Sequence, residues 1–145
     1  ANKFGATQII NASKSDPRKL ILKTTNNTGV DYSVEASGKT DAIEMAFSMV
    51  RNFGGKCVFA SHPPKDERIC IDPFDLICGK EIKGSWGGNS HPDLDIPKLS
   101  KFYLEGSLPL DQMIKKTYSL HQINNALSDL EQGKVFRPII DFNDK

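Results

Sequence analysis

The sequence predicts an α/β fold in which helices cover a parallel sheet. Residues 30–38 are typical of a strand that ends in a turn, and residues 40–52 carry apolar side chains at helical spacing. Two glycines at 54–55 then lead into residues 57–60, a nearly continuous apolar run like that of a buried parallel strand. A strand–helix–strand unit of this kind makes its strands parallel, with ligand crevices at their carboxyl ends.

The composition excludes several functional classes. The chain has 145 residues, a net charge of +1 and 38% hydrophobic residues, so nothing indicates a nucleic-acid partner or an acidic membrane surface. No apolar run approaches the ~20 residues of a membrane-spanning helix. Cys57, Cys70 and Cys78 lack Cys-x-x-Cys spacing, which argues against a zinc knuckle or a disulfide framework and favours a cytoplasmic location.

The elements before residue 30 are short. Residues 1–4 are predicted to end a helix that Gly5 caps, and residues 8–11 to form a strand. Asp16 followed by Pro17 predicts the start of a further helix, because a polar N-cap and a proline in the first turn favour one.

The elements after residue 60 continue the alternation. A loop over residues 62–66 precedes a short helix at 72–77, a strand at 81–86 and a helix at 97–105. Residues 114–120 are predicted to be extended, residues 122–132 helical, and residues 135–142 a closing strand. The helix at residues 122–132 is expected to turn four apolar side chains inward, namely Ile123, Ala126, Leu127 and Leu130.

Taken together, these residues resemble the carboxyl-terminal half of zinc-type medium-chain alcohol dehydrogenases. The resemblance runs from Phe4 to Ile140, and it depends on the order and spacing of several landmarks. The best of them are Gly29-Val30-Asp31-Tyr32-Ser33-Val34-Glu35, Pro73-Phe74-Asp75-Leu76, Gly79-Lys80-Glu81-Ile82-Lys83-Gly84-Ser85 and Leu120-His121-Gln122-Ile123-Asn124-Asn125-Ala126.

The resemblance implies a Rossmann-type, doubly wound parallel sheet of which this chain holds about four of six strands. Residues 1–113 would be a partial dinucleotide-binding domain, and residues 114–145 a strand–helix–strand return into the catalytic domain. The missing strands would lie between the first strand and the one at residue 30, which would leave residues 30–36 as an unpaired edge. Family members are commonly dimers or tetramers, so a homo-oligomer is expected.

The resemblance also implies hydride transfer between a small alcohol or carbonyl substrate and nicotinamide, with NAD(P) and zinc in the intact enzyme. The Gly-x-Gly-x-x-Gly fingerprint and the zinc ligands are absent here and are expected upstream. The chain is therefore expected to be part of a larger enzyme and inactive alone. Two alternatives stay open, namely a zinc-free quinone or enoyl reductase of the same superfamily and a non-enzymatic α/β binding module.

By position, the resemblance implies cofactor-binding residues but no catalytic residue and no metal ligand in this chain. Residues 35–37 would flank the riboses, residues 60–62 and 84–86 would hold the nicotinamide carboxamide, and an arginine would bind the pyrophosphate. The expected residues are Glu35, Ala36, Ser37, Ala60, Ser61, His62, Gly84, Ser85, Trp86 and Arg137.

From the residues alone, four of these positions have simpler interpretations. Glu35 could accept local backbone hydrogen bonds at its strand end. His62 could be a solvent-facing loop residue and Arg137 the partner of a surface carboxylate. Trp86 could pack in the core or at an edge.

Overall fold

In a computed structural model, which describes residues 1–114 and 116–143, the chain forms two compact units divided between Ser90 and His91. The first unit comprises residues 1–90 and the second the described residues from 91 onward. No helix among the described residues combines the length and the apolar character needed to cross a membrane.

The first unit is a parallel sheet with helices in the connections, which confirms the predicted fold class. Its strands pair in the order β1-β2-β3, and both pairs are parallel. In chain order the elements are α1 (Pro17–Thr24), β1 (Tyr32–Glu35), α2 (Thr40–Ser48), β2 (Lys56–Phe59), α3 (Pro73–Ile77) and β3 (Glu81–Gly84).

Local chemistry explains where the helices begin. The Asp16 carboxylate accepts hydrogen bonds from the backbone N–H groups of Arg18 and Lys19, and Pro17 takes the first helical position of α1. Asp72 caps α3 in the same way, 2.9 Å from the Phe74 nitrogen. Both starts agree with the sequence prediction. For α2 the N-cap is Lys39, without a side-chain bond, and the helix ends at Ser48, earlier than expected.

The strand predicted at residues 8–11 is wrong. No strand of the described residues pairs with this segment, and the Ile9 side chain is exposed. An isolated strand cannot satisfy its backbone groups, so apolar sequence alone does not make residues 8–11 a strand. The carbonyl of Asn11 instead accepts turn hydrogen bonds from Lys14 and Ser15.

The core of the first unit lies on one face of the sheet. Ala46, Phe47 and Val50, from α2 and the turn after it, pack against Cys57 of β2, with Ile82 of β3 partly buried beside them. Side chains alternate between the faces of a strand. On the opposite face, Tyr32 and Val34 of β1 are 72% and 73% exposed. β1 is also at the edge of the sheet, with β2 as its one neighbour among the described strands. This position agrees with the unpaired edge expected at residues 30–36.

Two glycines allow the turn between α2 and β2 to pack against the start of β1. Val30 N–H donates to the Met49 carbonyl, and Arg51 N–H donates to the Val30 carbonyl, both at 2.9 Å. Gly29 has φ +92°, and a Cβ at Gly55 would lie 2.3 Å from the Arg51 oxygen. Side chains are therefore excluded at both positions.

The second unit contains a long helix and a small parallel pair of strands. Its elements are α4 (Pro92–Leu104), β4 (Thr117–Ser119), α5 (Ile123–Glu131) and β5 (Ile139–Asp141), and β4 pairs with β5. The start predicted for α4 at Pro97 is wrong. Pro92 takes the first helical position, and Pro97 lies inside the helix.

The elements around α5 are partly as predicted. The extended segment expected at residues 114–120 contains β4, although Lys115 lies outside the described residues, and the strand expected at 135–142 is limited to Ile139–Asp141. Of the side chains expected to turn inward, only Ala126 is buried. Ile123, Leu127 and Leu130 are 42%, 58% and 42% exposed, because no described element of this unit covers that stripe.

A polar cluster ties α5 to β4. The buried Tyr118 donates its hydroxyl proton to the Asp129 carboxylate at 2.8 Å, and Lys116 and Lys134 form ion pairs with the same carboxylate. The hydrogen bond from Tyr118 and then that from Lys116 lower the pKa of Asp129. Asp129 is therefore charged near neutral pH, and it organises this unit internally.

Candidate functional site

The structure brings nine of the ten predicted site residues to one edge of the three-stranded sheet. In the strand register, Glu35 lies beside Phe59, and Phe59 lies beside Gly84. The ladder continues one residue further at both pairs, since Ala60 N–H donates to the Glu35 carbonyl and Ser85 N–H to the Phe59 carbonyl, each at 2.9 Å. This is the carboxyl edge of the sheet, where open α/β folds bind ligands.

The Glu35 carboxylate connects the loops that follow β1 and β2. It is 5% exposed and accepts hydrogen bonds from the backbone N–H and hydroxyl of Ser37, and from the Gly38 N–H at 3.1 Å. Its other oxygen accepts a hydrogen bond from the Ser61 hydroxyl. The local backbone bonds considered as the simpler interpretation are therefore present, together with a bond that crosses to the next loop.

Glu35 is held in its charged form. Burial raises its pKa, but the hydrogen bonds from the Ser37 and Ser61 hydroxyls and from the Ser37 and Gly38 amides outweigh burial, so the pKa lies below its ordinary value. A charged carboxylate can only accept hydrogen bonds. Glu35 thus fixes the positions of its donors and presents no proton to a ligand.

The two loops approach each other closely. Gly38 has φ +79°, and a Cβ there would lie 3.2 Å from the His62 carbonyl oxygen. Glycine permits both the left-handed backbone and the short distance. The loop of residues 36–38 is therefore in van der Waals contact with residues 61–62.

An open cavity of about 380 Å³ lies between the loops after β2 and β3. Its walls combine aromatic rings with two serine hydroxyls, and the His62 and Trp86 rings meet edge to face with centroids 4.5 Å apart. Gly84 leaves room beside Phe59, because a Cβ would lie 3.0 Å from that ring. The lining residues are Phe59, Ser61, His62, Pro63, Gly84, Ser85 and Trp86.

Two residues of the cavity wall were not among the predicted site residues. Phe59 is part of the apolar run of β2 and was expected in the core, while Pro63 follows directly after His62. The signal that could have identified them is their position at the carboxyl end of a parallel strand. The simpler interpretation of Trp86 as a core residue is wrong, since it is 80% exposed.

Arg137 lies in the second unit, where it is exposed in the segment between α5 and β5. The other nine predicted residues lie in the first unit. The pyrophosphate role of Arg137 stays a prediction.

The described residues offer no metal centre. Within residues 1–114 and 116–143, no group of three or more His, Cys, Asp or Glu side chains is placed to hold a metal ion. The three cysteines are free. Burial raises the pKa of the Cys57 thiol, so this core residue is not a ready nucleophile.

Comparison with known proteins identifies the family. Residues 1–105 match the family described as "Zinc-binding dehydrogenase". The chain belongs to the zinc-binding dehydrogenase family. This confirms the resemblance inferred from the sequence landmarks, and it agrees with the parallel α/β architecture of the first unit.

The members of the zinc-binding dehydrogenase family that resemble this chain include plant and bacterial alcohol dehydrogenases. Alcohol dehydrogenase 2 of Zea mays is 32% identical over 145 residues, which is 99% of this chain and 38% of that protein. Alcohol dehydrogenase-like 5 of Arabidopsis thaliana is 36% identical over 97% of this chain and 37% of its own length. The crystal structure of benzyl alcohol dehydrogenase from Acinetobacter calcoaceticus matches with a TM-score of 0.89, at 31% identity, over 96% of this chain and 38% of that one.

This zinc-binding dehydrogenase chain therefore spans well under half the length of these relatives. The described residues contain no ligand set for the zinc that the family name implies.

Proposed function

We propose that the protein containing this chain is an NAD(P)-dependent alcohol or polyol dehydrogenase, and that this chain supplies part of its cofactor site. The observation that supports the proposal most is the gathering of nine predicted residues at the carboxyl edge of one parallel sheet. Crevices at this edge are where dinucleotides bind in related folds. The relatives named as alcohol dehydrogenases suggest the substrate class.

The cavity suits the nicotinamide ring. It is lined by aromatic groups and by backbone and hydroxyl groups of Ser61 and Ser85, which suits a planar ring that carries a polar carboxamide. The Ser61 hydroxyl proton is already donated to Glu35, so Ser61 offers a ligand its backbone groups and its oxygen lone pairs. Residues 36 and 37, whose loop is fixed by Glu35, would lie beside the riboses.

Arg137 would hold the pyrophosphate, because a guanidinium can donate to two phosphate oxygens at once. A bound NAD(P) would supply the hydride donor or acceptor for the substrate carbon, and a zinc ion held by the remainder of the protein would supply a Lewis acid for the substrate oxygen. The glycine fingerprint and the zinc ligands would come from the remainder of the protein, so this chain alone would be inactive. We further propose a cytoplasmic homo-oligomer, with free cysteines that suit a reducing compartment.

The test is cofactor binding by the full-length protein, measured by titration calorimetry with NAD⁺ and NADP⁺. Ser85→Phe would fill the cavity and is expected to abolish binding. Ser100→Phe places the same ring on the exposed side of α4 and is expected to leave binding unchanged. A full-length protein that binds neither nucleotide would refute the proposal and favour a non-enzymatic module.

Metal analysis of the same preparation separates the zinc enzyme from the zinc-free alternative. We expect bound zinc, together with alcohol-dependent formation of reduced nicotinamide. A protein that binds nucleotide but contains no zinc, and that reduces quinones or enoyl thioesters, would replace the alcohol dehydrogenase assignment with the reductase.

A further inference from the structure

We propose that the amino edge of the sheet in the first unit carries a binding site of its own, which takes a phosphate monoester attached to a planar ring. The site is an open cavity of about 380 Å³ at the opposite edge of the sheet from the proposed cofactor residues. Because each strand is four residues long, the two edges are about 10 Å apart. The inference goes beyond the proposed function and does not depend on it.

The cavity lies where the chain enters the three strands. Its walls come from α1, from the loop before β1, from the end of α2 with the turn before β2, and from the residue directly before β3. Three of the lining side chains are cationic, and none of the described residues that line the cavity is acidic. The polar and charged residues of the wall include Arg18, Asn27, Thr28, Arg51, Asn52 and Lys80.

Arg18 gives the cavity an unbalanced positive charge. Lys80 is paired with the Asp75 carboxylate at 2.9 Å, and Arg51 with that of Asp31 at 2.6 Å. The Arg18 side chain is exposed on α1, and it forms no hydrogen bond or ion pair with any residue that the structure describes. Two of the three cations are therefore neutralised and the third is not, so the cavity attracts an anion.

The Arg51 guanidinium is fixed in place and still has donors for a ligand. Its Nε donates to Asp31, and its Nη1 donates to the carbonyls of Asn52 and Phe53. The two protons of Nη2 have no acceptor within residues 1–114 and 116–143. A side chain that the protein already holds loses little conformational entropy when it binds an anion, so Arg51 is preorganised for this role.

Neutral donors in the same wall favour a phosphate over a carboxylate. In the described part of the chain, the side chains of Asn27, Thr28 and Asn52 form no hydrogen bond, and all three residues are exposed. Amide, hydroxyl and guanidinium donors together suit a ligand group with several acceptor oxygens. A phosphate monoester offers three oxygens and a charge of about −1.5 to −2 at neutral pH, whereas a carboxylate offers two oxygens and a single charge.

Phe53 supplies a platform for a planar ring. Its side chain lines the cavity and is 82% exposed, and its backbone has a left-handed φ of +58°. The N–H groups of Phe53 and Gly54 keep the turn in this conformation by donating to the Cys78 and Gly79 carbonyls, at 2.9 and 2.8 Å. A bulky residue in this backbone region costs stability, and an exposed ring does not repay that cost by burial. Strain of this kind at a cavity wall points to a functional role, and an aromatic face can stack on a ligand ring.

The experiment measures the dissociation constants of phenyl phosphate and of inorganic phosphate for the full-length protein. Phosphorus NMR of the ligand is the readout, at low ionic strength, because salt screens exposed charges. We expect phenyl phosphate to bind about fivefold more tightly than inorganic phosphate, since only the former can stack on Phe53. Excess NAD⁺ should displace neither ligand, because the nucleotide is proposed to bind at the other edge of the sheet.

Three variants test the parts of the site separately. Arg18→Gln should weaken both ligands about tenfold, because it removes the unbalanced charge. Arg68→Gln is the matched control, since Arg68 is exposed in the loop after β2 and does not line the cavity, and it should leave both dissociation constants unchanged. Phe53→Asn keeps a residue that tolerates the left-handed backbone. It should weaken phenyl phosphate about fivefold and leave inorganic phosphate unchanged.

The outcomes decide the inference without affecting the proposed function. A wild type that binds neither ligand, an Arg18→Gln variant that binds both as well as Arg68→Gln does, or displacement of the ligands by NAD⁺ would each overturn it. If Phe53→Asn binds phenyl phosphate as tightly as the wild type, the stacked ring is excluded, and with it a ring-bearing ligand.

Discussion

Replacing Glu35 with glutamine is expected to destabilise the first unit and to loosen the two loops at its carboxyl edge. The carboxylate is 5% exposed and accepts hydrogen bonds from two groups of Ser37, from the Gly38 amide and from the Ser61 hydroxyl. Glutamine keeps the shape of the side chain but removes its charge. Its amide nitrogen also cannot accept the proton of the Ser61 hydroxyl.

The magnitude follows from these four hydrogen bonds. A hydrogen bond to a charged group contributes about 1.5–3 kcal/mol and one between neutral groups about 0.5–1.5 kcal/mol, so the change removes roughly 1 kcal/mol at each bond. Burying a neutral amide costs less than burying a carboxylate, which offsets part of the loss. We expect the free energy of unfolding to fall by about 2 kcal/mol.

The assay is urea denaturation followed by circular dichroism near neutral pH, with Glu67→Gln as the matched control. Glu67 is exposed, so this control should change the free energy of unfolding by less than about 0.5 kcal/mol. A Glu35→Gln variant as stable as the control would refute the reasoning.

The pH dependence gives a second check on Glu35. Because its pKa is lower in the folded chain, its stabilising contribution is complete above the unfolded pKa of about 4.3 and is lost as pH falls through the folded pKa. The difference between the wild type and Glu35→Gln should therefore shrink in acid. A difference that stays constant into strong acid would contradict the assignment of a lowered pKa.

Three further changes test other parts of the description. Gly55→Ala should lower the free energy of unfolding by about 3 kcal/mol, because its Cβ would meet the Arg51 carbonyl at 2.3 Å. Gly54→Ala has open space and should lower it only by the roughly 1–2 kcal/mol that the φ of +97° costs. Equal losses of stability for the two variants in urea denaturation would argue against the contact at Gly55. Arg137→Ala in the full-length protein should weaken NAD(P) binding by roughly 1.5–3 kcal/mol in calorimetry, and an unchanged dissociation constant would exclude the pyrophosphate role. The 145-residue chain should self-associate through the free edge of β1 in sedimentation, with Val34→Lys reducing the effect, and a monomeric wild type would contradict this.

The sequence predicts those elements of the fold whose signals are local. The carboxylate and proline at Asp16–Pro17 and at Asp72–Pro73 fix two helix starts without help from distant residues. The segment at residues 8–11 has two adjacent isoleucines, which favour a strand, but a strand also requires a hydrogen-bonded neighbour. Whether that neighbour is present depends on tertiary structure, and local pattern does not report it. The exposed stripe on α5 was mispredicted for the same reason.

The candidate site was predictable at the level of the backbone. Consecutive parallel strands bring their carboxyl ends to one edge, so the strand pattern of the sequence is enough to place residues 35–37, 60–62 and 84–86 together. The bond from Ser61 to Glu35 and the contact between His62 and Trp86 were not predictable. They depend on how two irregular loops fold back over the edge, for which the sequence has no periodic signal.

The rate of amide exchange should differ between the strands of the first unit, because they differ in how many neighbouring strands each has. In the part of the chain that the structure describes, β2 is the one strand of the first unit with a neighbour on each side, so its amides should be the slowest to exchange with solvent. β1 can detach by separating from a single neighbour and from the cover of α2, and it would carry Glu35 away from Ser61 as it does so. A nucleotide bound across both loops must resist that opening. Cofactor binding is therefore expected to slow exchange along β1 as far back as Tyr32, beyond residues 35–37 that are proposed to flank the riboses.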